Sequence, residues 1–279
     1  MIPFEFTYCR PDSLQEAAQA YEQLQREGKS TLYYGGGSEI ITMCRGGSLQ
    51  PGAVIDLKAI PECTQFHLDE EHLHIGAACT LNQIKESKVF PLLGLACGRI
   101  ADHTNQCRIT LGGNLCGTIL YRETSLPLLL SDAMVTLMGP KGERRLSFKR
   151  VFLGSMQLHD GEWIVAVHIP RWALSAKYAH IKHTTNEKID YPLVSVAALW
   201  KGDHLRAAFS GVVSYPLHSE AIDAVLNDHA IPCQTRAEQV IRLLPEAPQQ
   251  DVEGSRAYRS FLLTNTLTTL LEEWEHGSI

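Results

Sequence analysis

The sequence predicts an α+β fold, and three observations carry that reading. The middle block that ends at Pro170 mixes strands and helices without a strict strand–helix–strand rhythm. Beyond Pro170 the strands come first and the helices after, which suggests a separate C-terminal domain with helices on one face. Two segments, Leu32-Tyr33-Tyr34-Gly35-Gly36-Gly37-Ser38-Glu39 and Thr110-Leu111-Gly112-Gly113-Asn114-Leu115-Cys116-Gly117-Thr118, each place adjacent glycines beside a hydroxyl residue. With 279 residues the chain can form one large domain or two to three modest ones, and its apolar fraction of 44% supports a full core.

In chain order, Ser13 to Glu27 reads as a helix. Ser13 and Glu16 have capping-box spacing, Leu14, Ala17, Ala18, Tyr21 and Leu24 recur on one face, and Gly28 ends it. Thr31 to Tyr34 is a short strand feeding the first glycine segment, and Ser38 to Cys44 a helical turn leaving it. Strands are expected at Val54–Leu57 and His72–Ala77, then helices at Leu81–Glu86, capped by Thr80, and at Phe90–Asp102, with Leu92, Leu93, Leu95, Ala96 and Ile100 turned inward. After the second glycine segment, Leu126 to Asp132 is a short apolar helix with Pro127 tolerated in its first turn. Ala133–Met138 and Arg145–Phe148 flank the turn Gly139-Pro140-Lys141-Gly142, and Trp163–Ile169 is a strand closed by Pro170. Lys177–His183 alternates as a strand, and Leu193–Trp200 with Leu205–Val213 makes a hairpin around Lys201-Gly202-Asp203-His204. Helices follow at Ser219–Asn227, at Thr235–Leu244, capped by Thr235 with Glu238, and at about Ser255–Trp274.

The net charge of −6 argues against a nucleic-acid partner. No apolar run is long enough to span a bilayer, and Met1-Ile2-Pro3-Phe4-Glu5-Phe6 lacks the basic and apolar regions of a signal peptide. A cytoplasmic address and no membrane partner are therefore expected. Eight cysteines stand at 9, 44, 63, 79, 97, 107, 116 and 233 without a C-x-x-C pair. Zinc and iron–sulfur ligation lack their usual spacing, no metal site is expected, and the thiols read as free and mostly buried. His67, His72 and His74 lie in a polar segment and read as surface histidines.

Glycine lets a backbone reach φ > 0 and come close to a ligand, and successive N–H groups then form a concave anion site. The N-terminal amides of the turn that begins at Ser38 would point back at the same anion. Two such loops can grip the two phosphates of a dinucleotide.

Taken together, these residues resemble the FAD-binding subunit of the molybdenum hydroxylases, the family of xanthine dehydrogenase and carbon monoxide dehydrogenase. The landmarks run through nearly the whole chain: Tyr8 with Arg10-Pro11, Gly35-Gly36-Gly37-Ser38, Val54-Ile55-Asp56-Leu57, Ile75-Gly76-Ala77, Thr110-Leu111-Gly112-Gly113-Asn114-Leu115, Pro127-Leu128-Leu129 and Asp190-Tyr191-Pro192-Leu193-Val194-Ser195-Val196-Ala197. The resemblance implies the two-subdomain FAD fold of the vanillyl-alcohol-oxidase and CO-dehydrogenase-flavoprotein type, here 1–58 and 59–172, plus a C-terminal α+β domain, 173–279.

It also implies site residues. Tyr34, Gly35, Gly36, Gly37, Ser38 and Glu39 with Thr110, Gly112, Gly113 and Asn114 would hold the FAD phosphates, with Thr118 close by. Glu123 stands where the family has an acidic cofactor contact, usually aspartate. Ile164 would supply a backbone contact, Lys182 would lie close to FAD, and Tyr191 would lie against the isoalloxazine ring. A cation beside the flavin favours its reduced anion. Read alone, Lys182 is a solvated strand lysine, Tyr191 a packing tyrosine before a proline, and Glu123 half of a surface ion pair with Arg122.

The implied activity is that of an electron-transfer subunit binding FAD noncovalently. Electrons would arrive from a partner iron–sulfur subunit with [2Fe–2S] clusters and leave to NAD⁺, while a molybdenum-cofactor subunit hydroxylates the substrate. The FAD subunit of a three-subunit xanthine dehydrogenase fits best. The alternatives are a self-contained flavin oxidase of the same superfamily and a scaffold subunit that has lost FAD.

Overall fold

The computed structural model describes residues 2–187 and 189–277. Twelve strands are found among the described residues. They are β1 (Thr7–Cys9), β2 (Thr31–Tyr34), β3 (Ala53–Asp56), β4 (Phe66–Leu68), β5 (His72–Gly76), β6 (Met134–Gly139), β7 (Gly142–Ser147), β8 (Trp163–Pro170), β9 (Tyr178–His183), β10 (Val194–Lys201), β11 (His204–Ser210) and β12 (Leu217–His218). They form sheets of order β1-β3-β2, β4-β5-β8-β6-β7 and β12-β11-β10-β9.

The chain divides into two compact units. The first comprises Met1–Glu86, His103–Gly117 and Asp132–Arg171, the second Ser87–Asp102, Thr118–Ser131 and Trp172–Ile279. The two N-terminal sheets thus share one unit. The helices Pro91–Gly98 and Ser125–Leu130, from the middle of the chain, belong with the C-terminal sheet.

In the first unit β1 and β2 both pair with β3 in parallel, so residues 7–56 follow the βαβ rule. The helix Leu14–Arg26 starts as expected at Ser13, whose hydroxyl accepts the Glu16 amide at 3.2 Å; the Glu16 carboxylate reaches back to the Asp12 amide. Its face Leu14, Ala17, Tyr21 and Leu24 joins Ala53 and Ile55 of β3 and Trp163 and Val165 of β8 in one core. The five-stranded sheet pairs antiparallel throughout, and β8, its middle strand, is buried from Trp163 to Ile169.

In the second unit β9, β10, β11 and β12 form an antiparallel sheet, with the hairpin β10–β11 in the expected place. Val194, Val196, Ala198 and Trp200 of β10 pack with Leu205, Ala207 and Phe209 against Ile222, Ala237, Leu263 and Leu270 of the C-terminal helices. The expected arrangement of sheet with helices on one face is therefore present.

Three expectations change in detail. The helix expected to Asp102 stops at Gly98: Arg99 leaves helical geometry, Ala101 takes φ 53°, and a short helix resumes at His103–Gln106. Leu95 is consequently exposed and Ile100 only half-buried. The helix expected to start at Thr235 starts at Cys233 after Pro232, with no side-chain cap. Of the thiols, Cys44, Cys63, Cys79 and Cys97 are buried, but Cys107 and Cys116 are exposed. Strands β1, β4 and β12 are two or three residues long, too short for alternation to reveal.

Candidate functional site

In the first unit β2 delivers Tyr34 to the glycine segment, and the helix Ser38–Gly46 leaves it. Gly37 caps that helix at φ 73°, a conformation only glycine adopts without strain. The amides of Gly36, Gly37 and Ser38 have no hydrogen-bond acceptor among the described residues, and the Ser38 hydroxyl is buried without a partner. Unpaired amides and an orphaned buried hydroxyl at a helix N-terminus are the donors an anion needs.

The two glycine segments touch. A Cβ on Gly35 would lie 2.6 Å from Thr110 Oγ1, and one on Gly36 would lie 1.6 Å from the Arg108 carbonyl oxygen. Gly35 and Gly36 are therefore required for loop-to-loop contact rather than for approach of a ligand. The second segment is not an open loop. Residues Leu111–Cys116 are helical, Thr110 caps them, and the amides of Leu111, Gly112, Gly113 and Asn114 are taken by Cys79 O, Ala77 O, Thr110 Oγ1 and Thr110 O. The expected row of exposed amides thus exists in the first segment and not in the second. Gly113 is exposed, and a Cβ there would meet only Thr110 Oγ1, at 2.9 Å.

Sequence reasoning missed what braces the first segment. Lys58 Nζ donates to the Gly35 carbonyl at 2.8 Å and to both Asp56 oxygens, and lies 4.4 Å from the centre of the Tyr34 ring. The Tyr8 hydroxyl donates to Asp56 Oδ2 at 2.5 Å. Burial pushes the Asp56 carboxyl up, but the bonds from Lys58 and Tyr8 outweigh it and hold the carboxyl below its usual range. Ile164 stands apart from this group. It is 3% exposed in β8, where it pairs with Leu137, and its side chain belongs to the sheet core.

The second unit holds Thr118, Glu123, Lys182 and Tyr191. Neither a solvated lysine nor a surface pair with Arg122 describes Lys182 and Glu123. Lys182 Nζ meets Glu123 Oε2 at 2.7 Å, with the two side chains 2% and 4% exposed, and also donates to the Arg99 carbonyl. Glu123 Oε1 is buried without a partner, and burial raises its carboxyl against the opposing charges of Lys182 and Arg99. Beside the pair, Arg99 Nη1 donates to His180 Nδ1 at 2.8 Å and to the His180 carbonyl. Burial, with Arg99 and Lys182 adding, lowers His180 to about 3, so the ring is neutral. Arg99, His180, Ile181 and Lys182 line a cleft of about 260 Å³. Tyr191 is 59% exposed and stacks on Tyr121, another residue missed from sequence, with ring centres 4.9 Å apart. Thr118 is exposed at the start of its segment.

The histidines of residues 67–74 are not a plain surface group. His74 is half-buried, bonding Asp69 through Nε2 and His168 Nδ1 through Nδ1, while His168 Nε2 meets Thr136 Oγ1. Burial lowers His168 to about 3, with Arg145 adding. The native state therefore holds this ring neutral, as it does His180, whereas the unfolded chain charges each at about pH 6.5. Stability is expected to fall as pH drops from about 6.5 towards 3. Depressed carboxylates such as Asp56 act only below about pH 4. Urea unfolding between pH 7 and pH 4.5 checks this: His168→Gln is expected to flatten the dependence, and an unchanged slope would contradict it.

No helix among the described residues is long and apolar enough to cross a membrane. Residues 4–172 match the family model of the FAD-binding domain in molybdopterin dehydrogenase. The carbon monoxide dehydrogenase medium chain of Hydrogenophaga pseudoflava is 26% identical over 276 residues, covering 93% of each chain. The xanthine dehydrogenase FAD-binding subunit of Escherichia coli O157:H7 is 23% identical, covering 97% of this chain and 96% of the other. A solved structure of the Hydrogenophaga pseudoflava carbon monoxide dehydrogenase superposes with a TM-score of 0.84 at 26% identity, over 96% of both chains.

Proposed function

Because this chain belongs to the family of FAD-binding domains of molybdopterin dehydrogenases, we propose that it binds FAD noncovalently and works as the electron-transfer subunit of a multi-subunit molybdenum hydroxylase. The buried, unpartnered Ser38 hydroxyl beside three unpaired amides carries this reading, since it supplies the donors a pyrophosphate needs. FAD, when bound, supplies the coupling between one-electron arrival and two-electron departure.

Tyr34, Gly35, Gly36, Gly37, Ser38 and Glu39 cradle the phosphates in this proposal. Thr110, Gly112, Gly113 and Asn114 back that cradle as a packed wall. Thr118, Glu123, Ile164, Lys182 and Tyr191 are the remaining cofactor contacts, with Lys182 and Tyr191 acting on the reactive ring. The [2Fe–2S] clusters and the molybdenum cofactor sit on separate iron–sulfur and molybdenum subunits, and the acceptor is NAD⁺. Similarity to relatives named for carbon monoxide and for xanthine supports a substrate pocket on another polypeptide. Within that class we favour xanthine dehydrogenase, in the cytoplasm.

Titration of the purified chain with FAD tests the cofactor. One FAD per chain is expected, released intact on acid precipitation. Ser38→Ala is expected to weaken binding about tenfold through loss of one hydrogen bond to a charged phosphate. A chain that stays colourless at saturating FAD overturns the proposal.

A further inference from the structure

Arg259 is a cation with no exposure, and sequence analysis gave it no role. Its Nη1 donates to the carbonyls of Leu193 at 2.6 Å and Gly211 at 2.8 Å, with Pro192 O at 3.4 Å, and its Nη2 meets both Asp251 oxygens at 2.7 Å. Pro192 and Leu193 directly follow Tyr191. Gly211 directly follows Ser210, whose hydroxyl donates to the Tyr121 carbonyl at 2.7 Å. The chain approaches so closely here that a Cβ on Gly211 would lie 2.4 Å from the Pro192 carbonyl oxygen, and Gly211 takes φ 79°. One junction therefore holds backbone next to both members of the Tyr121–Tyr191 stack.

Tyr191, 59% exposed, stacks on the half-buried Tyr121 with an interplanar angle of 21°, which leaves a face of the Tyr191 ring to solvent unless something covers it. Burying an arginine to hold three carbonyls is costly, and these carbonyls lie at the open end of the β10–β11 hairpin, away from its turn. The junction is joined to both rings through the backbone, by Pro192 and Leu193 to Tyr191 and by Gly211 and Ser210 to Tyr121.

We propose that Arg259 is a positioning residue, which sets the Tyr121–Tyr191 pair as a rigid platform for the planar ring of the flavin. This rests on the reading of Tyr191 as a flavin contact. Tyr121 supplies the second ring, and Asp251 neutralises the buried guanidinium. Lysine cannot replace Arg259, because a single ammonium lacks the planar fork that reaches both the carbonyls and Asp251.

The test uses the full chain with and without FAD, comparing Arg259→Lys, Tyr121→Leu and Tyr191→Ala. In the FAD-free chain, Arg259→Lys is expected to speed amide exchange of residues 189–195 about tenfold, with the core of the helix Arg256–Glu275 still protected. With FAD bound, tyrosine stacked on flavin quenches its fluorescence. All three variants are expected to brighten the bound flavin while one FAD per chain remains, and the double variant Arg259→Lys/Tyr191→Ala to be no brighter than Tyr191→Ala. Unchanged exchange overturns the anchor whatever the flavin does. Faster exchange with unchanged fluorescence in Arg259→Lys overturns the platform. If Tyr191→Ala alone leaves fluorescence unchanged, the reading of Tyr191 beneath the proposal has failed, and the exchange result still judges the anchor separately. Tyr121→Leu leaves the buried junction untouched, so it reports on the platform even where Arg259→Lys does not fold.

Discussion

Gly36→Ala is expected to destroy FAD retention and to destabilise the first unit by about 3 kcal/mol, the upper range for overpacking a site that cannot yield. The added methyl would sit 1.6 Å from the Arg108 carbonyl oxygen, a backbone atom with no rotamer to escape into. One of the two segments must move, and with it the unpaired amides of Gly36, Gly37 and Ser38 that form the proposed anion cradle. Gly113→Ala is the control. Its methyl meets only the Thr110 hydroxyl, so stability should change by less than about 1 kcal/mol. A bulkier residue at Gly113 stands on an exposed face and is expected to lower FAD affinity without unfolding the chain. Urea unfolding together with FAD titration separates these effects. Full flavin occupancy in Gly36→Ala would show that contact between the segments is unnecessary for the cradle.

That contrast shows what the sequence could and could not disclose. Both glycine segments were legible, because turn chemistry is written in neighbouring residues. Their division of labour was not. The second segment spends its amides on Ala77, Cys79 and Thr110, and Ala77 and Cys79 lie some thirty residues earlier in the chain, so no local pattern announces those bonds. The Ser13 cap and the C-terminal sheet with its helices were readable for the same local reason, through one capping pair and one hairpin turn. Lys58 follows the landmark strand directly, yet its value lies in Asp56, Gly35 and the Tyr8 bond, which joins residues 48 apart. His74 looked solvated because its polar neighbours are sequential, while the ring that buries it, His168, is 94 residues away. Collinearity with a family flagged Lys182 and Glu123, but residue type and the neighbouring Arg122 pointed to the surface.

The second large effect belongs to that pair. Lys182→Met is expected to cost about 3–5 kcal/mol, because it leaves the Glu123 carboxylate buried without the ammonium that pairs it. Burial already raises this carboxyl, so in the variant it should take up a proton, and the loss should shrink as pH is lowered. The direction follows from linkage: a native-state acid with a raised pKa loses stability as pH rises past its unfolded value. Glu123→Leu combined with Lys182→Met removes both charges and is expected to recover most of the lost stability, since an apolar pair of similar volume often equals or exceeds a buried ion pair. Urea unfolding of the two singles and the double at pH 5 and pH 8 measures the stabilities, and flavin reduction by NADH with an artificial acceptor measures the chemistry. Stability restored without flavin reactivity would mean that the cation is retained for its effect on the reduced cofactor rather than for the fold. Both restored would remove Lys182 from the reactive site, and a cost below about 1 kcal/mol for Lys182→Met would mean that the pair is solvated after all.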